Sequence, residues 1–323
     1  MGRSPNSLAY YKAIEFITSL TQDGSEELRM RAIQTLGEIS DSISVDPLIE
    51  LLHDKSADIR VEVISALSDF RDLKTILPLL DMFSDASIDV RTEVTAAFCY
   101  IRDLRAIPHL LRALSDESEN VRSNAAIALG ECAAGDPIIS EDDTVGPLIG
   151  LLNDKAAIVR NSAIVALGSI MDKRALNPLK QSLLTDINAE NRAAAAQSLS
   201  WIGDYSEVHE SLEKALSDEK MIVRYSSAMS FGKLKDPRAV DPLLKLLSVE
   251  GHIGIEDYQP RIQAAIALGA IGDKRAIDPL LNCLKVPFSP LRARAAEALG
   301  AIGDASVKPY LLKLLEDESS MVQ

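Results

Sequence analysis

One phrase returns along the chain: NVRSNAAIALG from Asn120 to Gly130, IVRNSAIVALG from Ile158, and PLRARAAEALG from Pro290. Taking its arginine as origin, the same frame falls on Arg29, Arg60, Arg91, Arg122, Arg160, Arg192, Arg224, Arg261 and Arg292. The spacings are 31, 31, 31, 38, 32, 32, 37 and 31 residues. Nine copies of so short a unit limit the fold severely, because one unit cannot bury its own apolar face and must stack on its neighbours. Stacking also frees a chain of 323 residues from the size limit of a single core.

Within each unit the apolar positions lie one residue before the arginine and three, seven and ten after it, as in Val121, Ala125, Leu129 and Cys132. That is one stripe of a 3.6-residue helix. In the second unit the pattern predicts an outer helix near Pro47 to His53, a turn at Asp54 to Ala57, and an inner helix from Asp58 to Phe70. An aspartate stands six residues before the arginine in seven units: Asp23, Asp54, Asp85, Asp116, Asp154, Asp186 and Asp218. A carboxylate there can accept from the N–H groups of the helix start and from repeat arginines, so an Asp–Arg ladder along the stack is expected. A second aspartate follows twelve residues after the arginine in eight of nine units and closes the turn into the next outer helix. Prolines such as Pro47, Pro147 and Pro279 mark the first turn of those outer helices, where a missing N–H costs nothing. Aromatic residues make up only 4% of the chain, so the core must be packed from Ala, Leu, Ile and Val.

These words, with ALGAIGDKRAIDP from Ala267 to Pro279 as their fullest example, resemble the HEAT repeat, and more closely the short HEAT-like repeats of phycobilisome bilin lyases. The resemblance runs from Ser7 to about Asp317. It implies an all-α, HEAT-like α-solenoid: a right-handed superhelix of about nine helix pairs plus a final outer helix, with the arginine helices on the concave side. The expected organisation is a disordered tail over residues 1–6 and a single solenoid over 7–323, with inserted loops near 131–144 and 249–259. Insertions of this kind often carry binding function.

The net charge of −14 and the lack of a basic stripe argue against nucleic acid. Neither a membrane span nor a secretory signal is present in the sequence, and three scattered cysteines suit a reducing cytoplasm. One related class of HEAT-repeat enzyme, deoxyhypusine hydroxylase, holds iron on His-Glu pairs directly after the repeat arginine; none of the nine pairs here contains a histidine. The only His-Glu dipeptide, His209 with Glu210, falls on an outer helix, and all four histidines read as surface groups. The acidic loop residues Glu141, Asp142 and Asp143, and those around His252, lack the pattern of a metal loop. No catalytic constellation and no metal site are therefore expected, and no cofactor.

What remains is the inner surface, assigned to the positions one, five and nine after the arginine and their neighbours. Its first half carries Glu38, Glu62, Asp69 and Glu93; its second carries Val165, Trp201, Tyr225, Met229, Ile262 and Ile266. An apolar patch with the chain's sole tryptophan suggests a protein-binding site. The leading expectation is a non-catalytic scaffold that binds another protein along its concave face. The alternative implied by the resemblance is a bilin lyase or bilin-binding chaperone, with an open-chain tetrapyrrole in the groove and a phycobiliprotein as partner. At the end of the chain the frame asks for an arginine at 323 and finds Gln323. Leu311, Leu312, Leu314 and Leu315 then lack their inner helix, which suggests either a longer natural chain or a covering contact, most simply a homodimer.

Overall fold

The computed structural model describes residues 8–70, 72–134, 141–248 and 258–323. The expected N-terminal tail lies outside these residues, as do residues 135–140 of the first inserted loop and 249–257 of the second, while Glu141 to Thr144 fall within a helix rather than a loop.

Nineteen α-helices and no strand occur among the described residues. They alternate as the repeat demands. The outer helices are α1 (Leu8–Leu20), α3 (Val45–Glu50), α5 (Leu73–Asp81), α7 (Ile107–Ala113), α9 (Glu141–Leu151), α11 (Leu176–Thr185), α13 (Tyr205–Ala215), α15 (Val240–Leu247), α17 (Ile277–Cys283) and α19 (Lys308–Lys313). The inner ones are α2 (Glu26–Ile39), α4 (Ala57–Phe70), α6 (Ile88–Ile101), α8 (Glu119–Ala133), α10 (Ala157–Ile170), α12 (Ala189–Ile202), α14 (Met221–Leu234), α16 (Tyr258–Ile271) and α18 (Ser289–Ile302). The chain is an all-α solenoid. Contacts divide it into two compact units, unit 1 ending at Leu151 and unit 2 beginning at Leu152.

The aspartates twelve residues after the arginine are N-caps. Asp41, Asp72, Asp103, Asp172, Asp204, Asp236, Asp273 and Asp304 each accept a backbone N–H two or three residues on. A cap of this kind contributes about 1 kcal/mol to each outer-helix start. Just before them, several inner helices end on a left-handed residue: Ser40, Arg102, Met171, Lys235, Gly272 and Gly303 all have positive φ.

The ladder forms as expected. Arg60 grips Asp85 of the next unit with two bonds of 2.8 Å, and Arg160 grips Asp186 at 2.8 and 2.9 Å. Arg192 holds Asp218 and Arg292 holds Asp317 in the same way. A second arm of each guanidinium turns back to its own unit, where Arg60 Nη1 donates to the Asp54 carbonyl at 2.7 Å and Arg160 Nη1 to that of Asp154 at 2.9 Å. Each aspartate also fixes the turn into its own inner helix by accepting the N–H two residues on, as Asp186 does from Asn188, the N-cap residue of α12. One side chain thus ties two layers and a helix terminus together. Gln323 imitates the returning arm by donating to the Asp317 carbonyl at 2.6 Å.

Successive inner helices pack against each other more intimately than successive outer ones in each unit, which makes the inner-helix side the tight side of the stack. The small residues of the ALG word permit this. A Cβ on Gly269 of α16 would lie 2.8 Å from Ala298 Cα of α18, so the glycine is required by close approach. The core itself is aliphatic, with Ile64, Leu67, Leu129, Leu167, Leu199 and Leu268 fully buried.

Candidate functional site

In unit 2 the outward residues of the inner helices build a largely apolar strip, interrupted by Gln197. Val165 of α10, Trp201 of α12 and Ile266 of α16 are 41%, 40% and 39% exposed, and Tyr225 and Met229 of α14 are half-buried beside them. Trp201 is held from both sides. Its ring edge lies close to Gly168 of α10, where an added Cβ would meet Cε3 at 3.1 Å, and Lys233 Nζ of α14 sits 4.7 Å from its ring centroid. A cation over an indole face is attracted by the ring quadrupole, so Lys233 fixes the ring in place. Burial lowers the pKa of Lys233.

Ile262 does not belong to this strip. It is only 7% exposed, and Ser123, Ala193 and Ala293, which also directly follow a repeat arginine, are buried too. That position is not uniform, since Tyr225, which also directly follows a repeat arginine, stays half-buried.

Unit 1 presents a different surface. Glu62 of α4 and Glu93 of α6 are both half-buried and lie near one another, so burial, and then the Glu62 charge, raise the Glu93 pKa. Near the ends of α4 and α6 a cleft of about 680 Å³ is lined by Asp69, Asp72, Tyr100, Arg102 and Asp103. Tyr100 occupies the ninth position of α6, the place Trp201 holds in α12.

Two residues of these faces, Lys233 and Tyr100, were missing from the sequence-based set. Both stand at the ninth position, so the register alone contains the signal.

Nucleophiles and ligands are poorly placed. Burial pushes the thiols of Cys99 and Cys132 up to about 11, which leaves them protonated and inert at neutral pH. His109 and His209 are half-buried rather than free on the surface, packed on the rings of Phe83 and Tyr205. Among the described residues no group of three or more His, Cys, Asp or Glu side chains converges as a metal site would require, and no helix is long and apolar enough to cross a membrane.

No curated protein sequence matches this chain. Solved structures do. An engineered protein aligns at a TM-score of 0.54 with 21% identity, over 96% of each chain. The Escherichia coli protein YibA aligns at 0.58 with 19% identity, over 93% of this chain and 99% of that one. A chain from the structure of Kap95p with RanGDP aligns at 0.69 with 14% identity, over 95% of this chain and 47% of that one. At such identities the likeness shows the fold alone. The sequence matches the family model described as HEAT repeats over residues 14–98, 76–138, 107–200, 184–252 and 253–323. With nearly its whole length accounted for in this way, and with its helix pairs stacked accordingly, this chain belongs to the HEAT-repeat family.

Proposed function

We propose that the chain is a non-catalytic scaffold that binds another protein through the inner face of unit 2. The observation that carries this reading is Trp201, a large ring left 40% exposed on the tight side of the stack, with outward Val165 on the preceding inner helix and outward Ile266 two inner helices further on. Large apolar side chains left exposed on one face often mark a binding site, and Trp, Tyr and Met are frequent binding anchors. Kap95p, named with RanGDP in the structure of a similar fold, is a protein-binding relative in architecture and supports the class of function. Glu62 and Glu93 act as steering charges for basic regions of a partner, affecting association rate and salt dependence more than residence time.

Selection of a random peptide library on the intact chain tests the reading. Peptides that bind should perturb the emission of Trp201, the sole tryptophan. Trp201→Ala or Tyr225→Ala should weaken them by about 2 kcal/mol, roughly thirtyfold, with circular dichroism unchanged. Binding that ignores both substitutions sinks the reading. A free open-chain tetrapyrrole should keep its own absorbance spectrum when mixed with the protein. A shifted band that Trp201→Ala abolishes would move the groove to the bilin lyase or chaperone reading, with a phycobiliprotein as partner.

The last outer helix offers a second surface, which a further inner helix of a longer chain or a second copy would cover. Leu315 of the last outer turn is 61% exposed, whereas Leu247, equally placed eleven residues after its N-cap aspartate, is 1% exposed. Leu311, Leu312 and Leu315 line an apolar groove of about 340 Å³ that a second copy would cover. Sedimentation should then show a dimer that Leu312→Glu dissociates, and a monomer at all concentrations removes this reading.

A further inference from the structure

The chemistry of the partner can be read from one cation. Lys233 lies over Trp201 in the middle of the apolar strip, and among the described residues no carboxylate is within ion-pair distance of it. The outward positions around it carry no negative charge: on α10, α12, α14 and α16 the second, fifth and ninth positions after the arginine hold no Asp or Glu, in a chain whose net charge is −14, and the nearby carboxylates Asp204 and Asp236 are N-caps of the next turns. In the free protein water solvates the ammonium. Once an apolar partner covers Trp201, Met229 and Ile266, that water is displaced, and an ammonium sealed under apolar groups without a counter-charge is strongly disfavoured. A partner that brings its own cation adds repulsion, whereas one that brings a carboxylate converts the cost into a charge-assisted hydrogen bond.

We infer that the inner face of unit 2 takes a segment in which large apolar side chains flank a carboxylate, the carboxylate seating on Lys233 and the apolar groups on Trp201, Met229 and Ile266. This rests on the scaffold reading and adds a selectivity to it: acidic-apolar segments are accepted and basic ones refused. Adjacent inner helices lie about 10 Å apart. Lys233 Nζ lies 4.7 Å from the Trp201 ring centroid and Met229 stands one turn away on the same helix, so one apolar group has to sit directly beside the acid, while the group for Ile266, on the next inner helix, stands about 10 Å from it.

The probe is the same random peptide library, selected in parallel on the wild-type chain, Lys233→Glu, Lys233→Met and Trp201→Ala, each first shown to keep its helical circular dichroism. Wild type should enrich Asp or Glu at one fixed place among Leu, Ile, Phe or Trp. Lys233→Glu should enrich Lys or Arg at that place, and Lys233→Met should keep the apolar pattern and lose the charge preference. Replacing the acid of an enriched peptide by its amide should weaken wild-type binding about tenfold or more and leave binding to Lys233→Met within about twofold. If the enriched peptides depend on Trp201 but show the same charge pattern in wild type and Lys233→Glu, the inference is overturned and the scaffold reading stands. If no peptide is enriched, or enrichment survives Trp201→Ala, both are overturned.

Discussion

On the inner helices of unit 1 the ninth position after the arginine carries Glu38, Asp69, Tyr100 and Glu131; on α10, α12, α14 and α16 of unit 2 it carries Ser169, Trp201, Lys233 and Ala270. The second position differs as sharply, with Glu62 and Glu93 in one unit and Ser162 and Ser226 in the other. The ladder recurs in both units: Arg60 to Asp85 and Arg160 to Asp186 have nearly the same geometry, although Arg261 of α16 donates to the Leu247 carbonyl instead. Scaffold positions are held fixed by contacts to the next layer, while outward positions are free to diverge. Divergence at those places therefore reports what each unit meets, not how it folds.

The largest expected effect tests the constant half of that contrast. Arg60→Ala and Arg160→Ala should each lower stability by about 3 kcal/mol, because each leaves a mostly buried aspartate without its partner. Urea titration followed by circular dichroism should show similar losses in the two units, with peptide binding by the folded protein intact. A large loss in one unit only would break the equivalence.

A smaller effect separates two glycines at one repeat position. Gly269→Ala pushes a Cβ to 2.8 Å from the Ala298 backbone and should cost about 2 kcal/mol, whereas Gly300, with nothing within 4 Å, should gain up to about 1 kcal/mol from the same change. Equal responses would deny that close inner-helix approach is what the ALG glycine serves.

The smallest concerns the acidic face. Ladder carboxylates such as Asp186 are driven up by burial but held net below their ordinary range by hydrogen bonds from Arg160, Asn188 and Asn191. Their contribution is complete above the unfolded aspartate value of about 3.9 and is lost as pH falls through the folded value. Glu93 has the opposite sign. With its folded pKa raised by burial and Glu62, its ionised form is a penalty at neutral pH that disappears in mild acid. Glu93→Gln should therefore stabilise at pH 7 by about 0.5 kcal/mol, an advantage that vanishes below the unfolded glutamate value of about 4.3, while Asp186→Asn should destabilise at pH 7. Denaturation midpoints measured across this range check both signs.

Much of the fold was legible because a repeat displays its rules many times. The aspartate and arginine of the ladder, the N-cap aspartates and the core stripe recur at fixed offsets, so each copy corroborates the others. The breadth of the buried face was less legible. An inner helix is flanked by two others, so burial reaches the position after the arginine in some repeats, as at Ala193, Ile262 and Ala293, but not at Tyr225. The left-handed ends at Arg102 and Met171 carry no glycine and leave no signal. Lys233 was readable by register, but a lone lysine on a helix usually means a solvated charge, and only the ring of Trp201 beneath it gives it another meaning.

Hydroxyl-radical footprinting of the wild-type chain with and without an enriched peptide tests most directly whether the apolar inner face of unit 2 is the binding surface. Oxidation of Trp201, Tyr225 and Met229 should fall on binding, while Tyr100 in unit 1 and exposed Met171 should remain as reactive as before. Unchanged oxidation at Trp201 and Met229, with protection at Tyr100 or at the outer helices instead, would contradict the account.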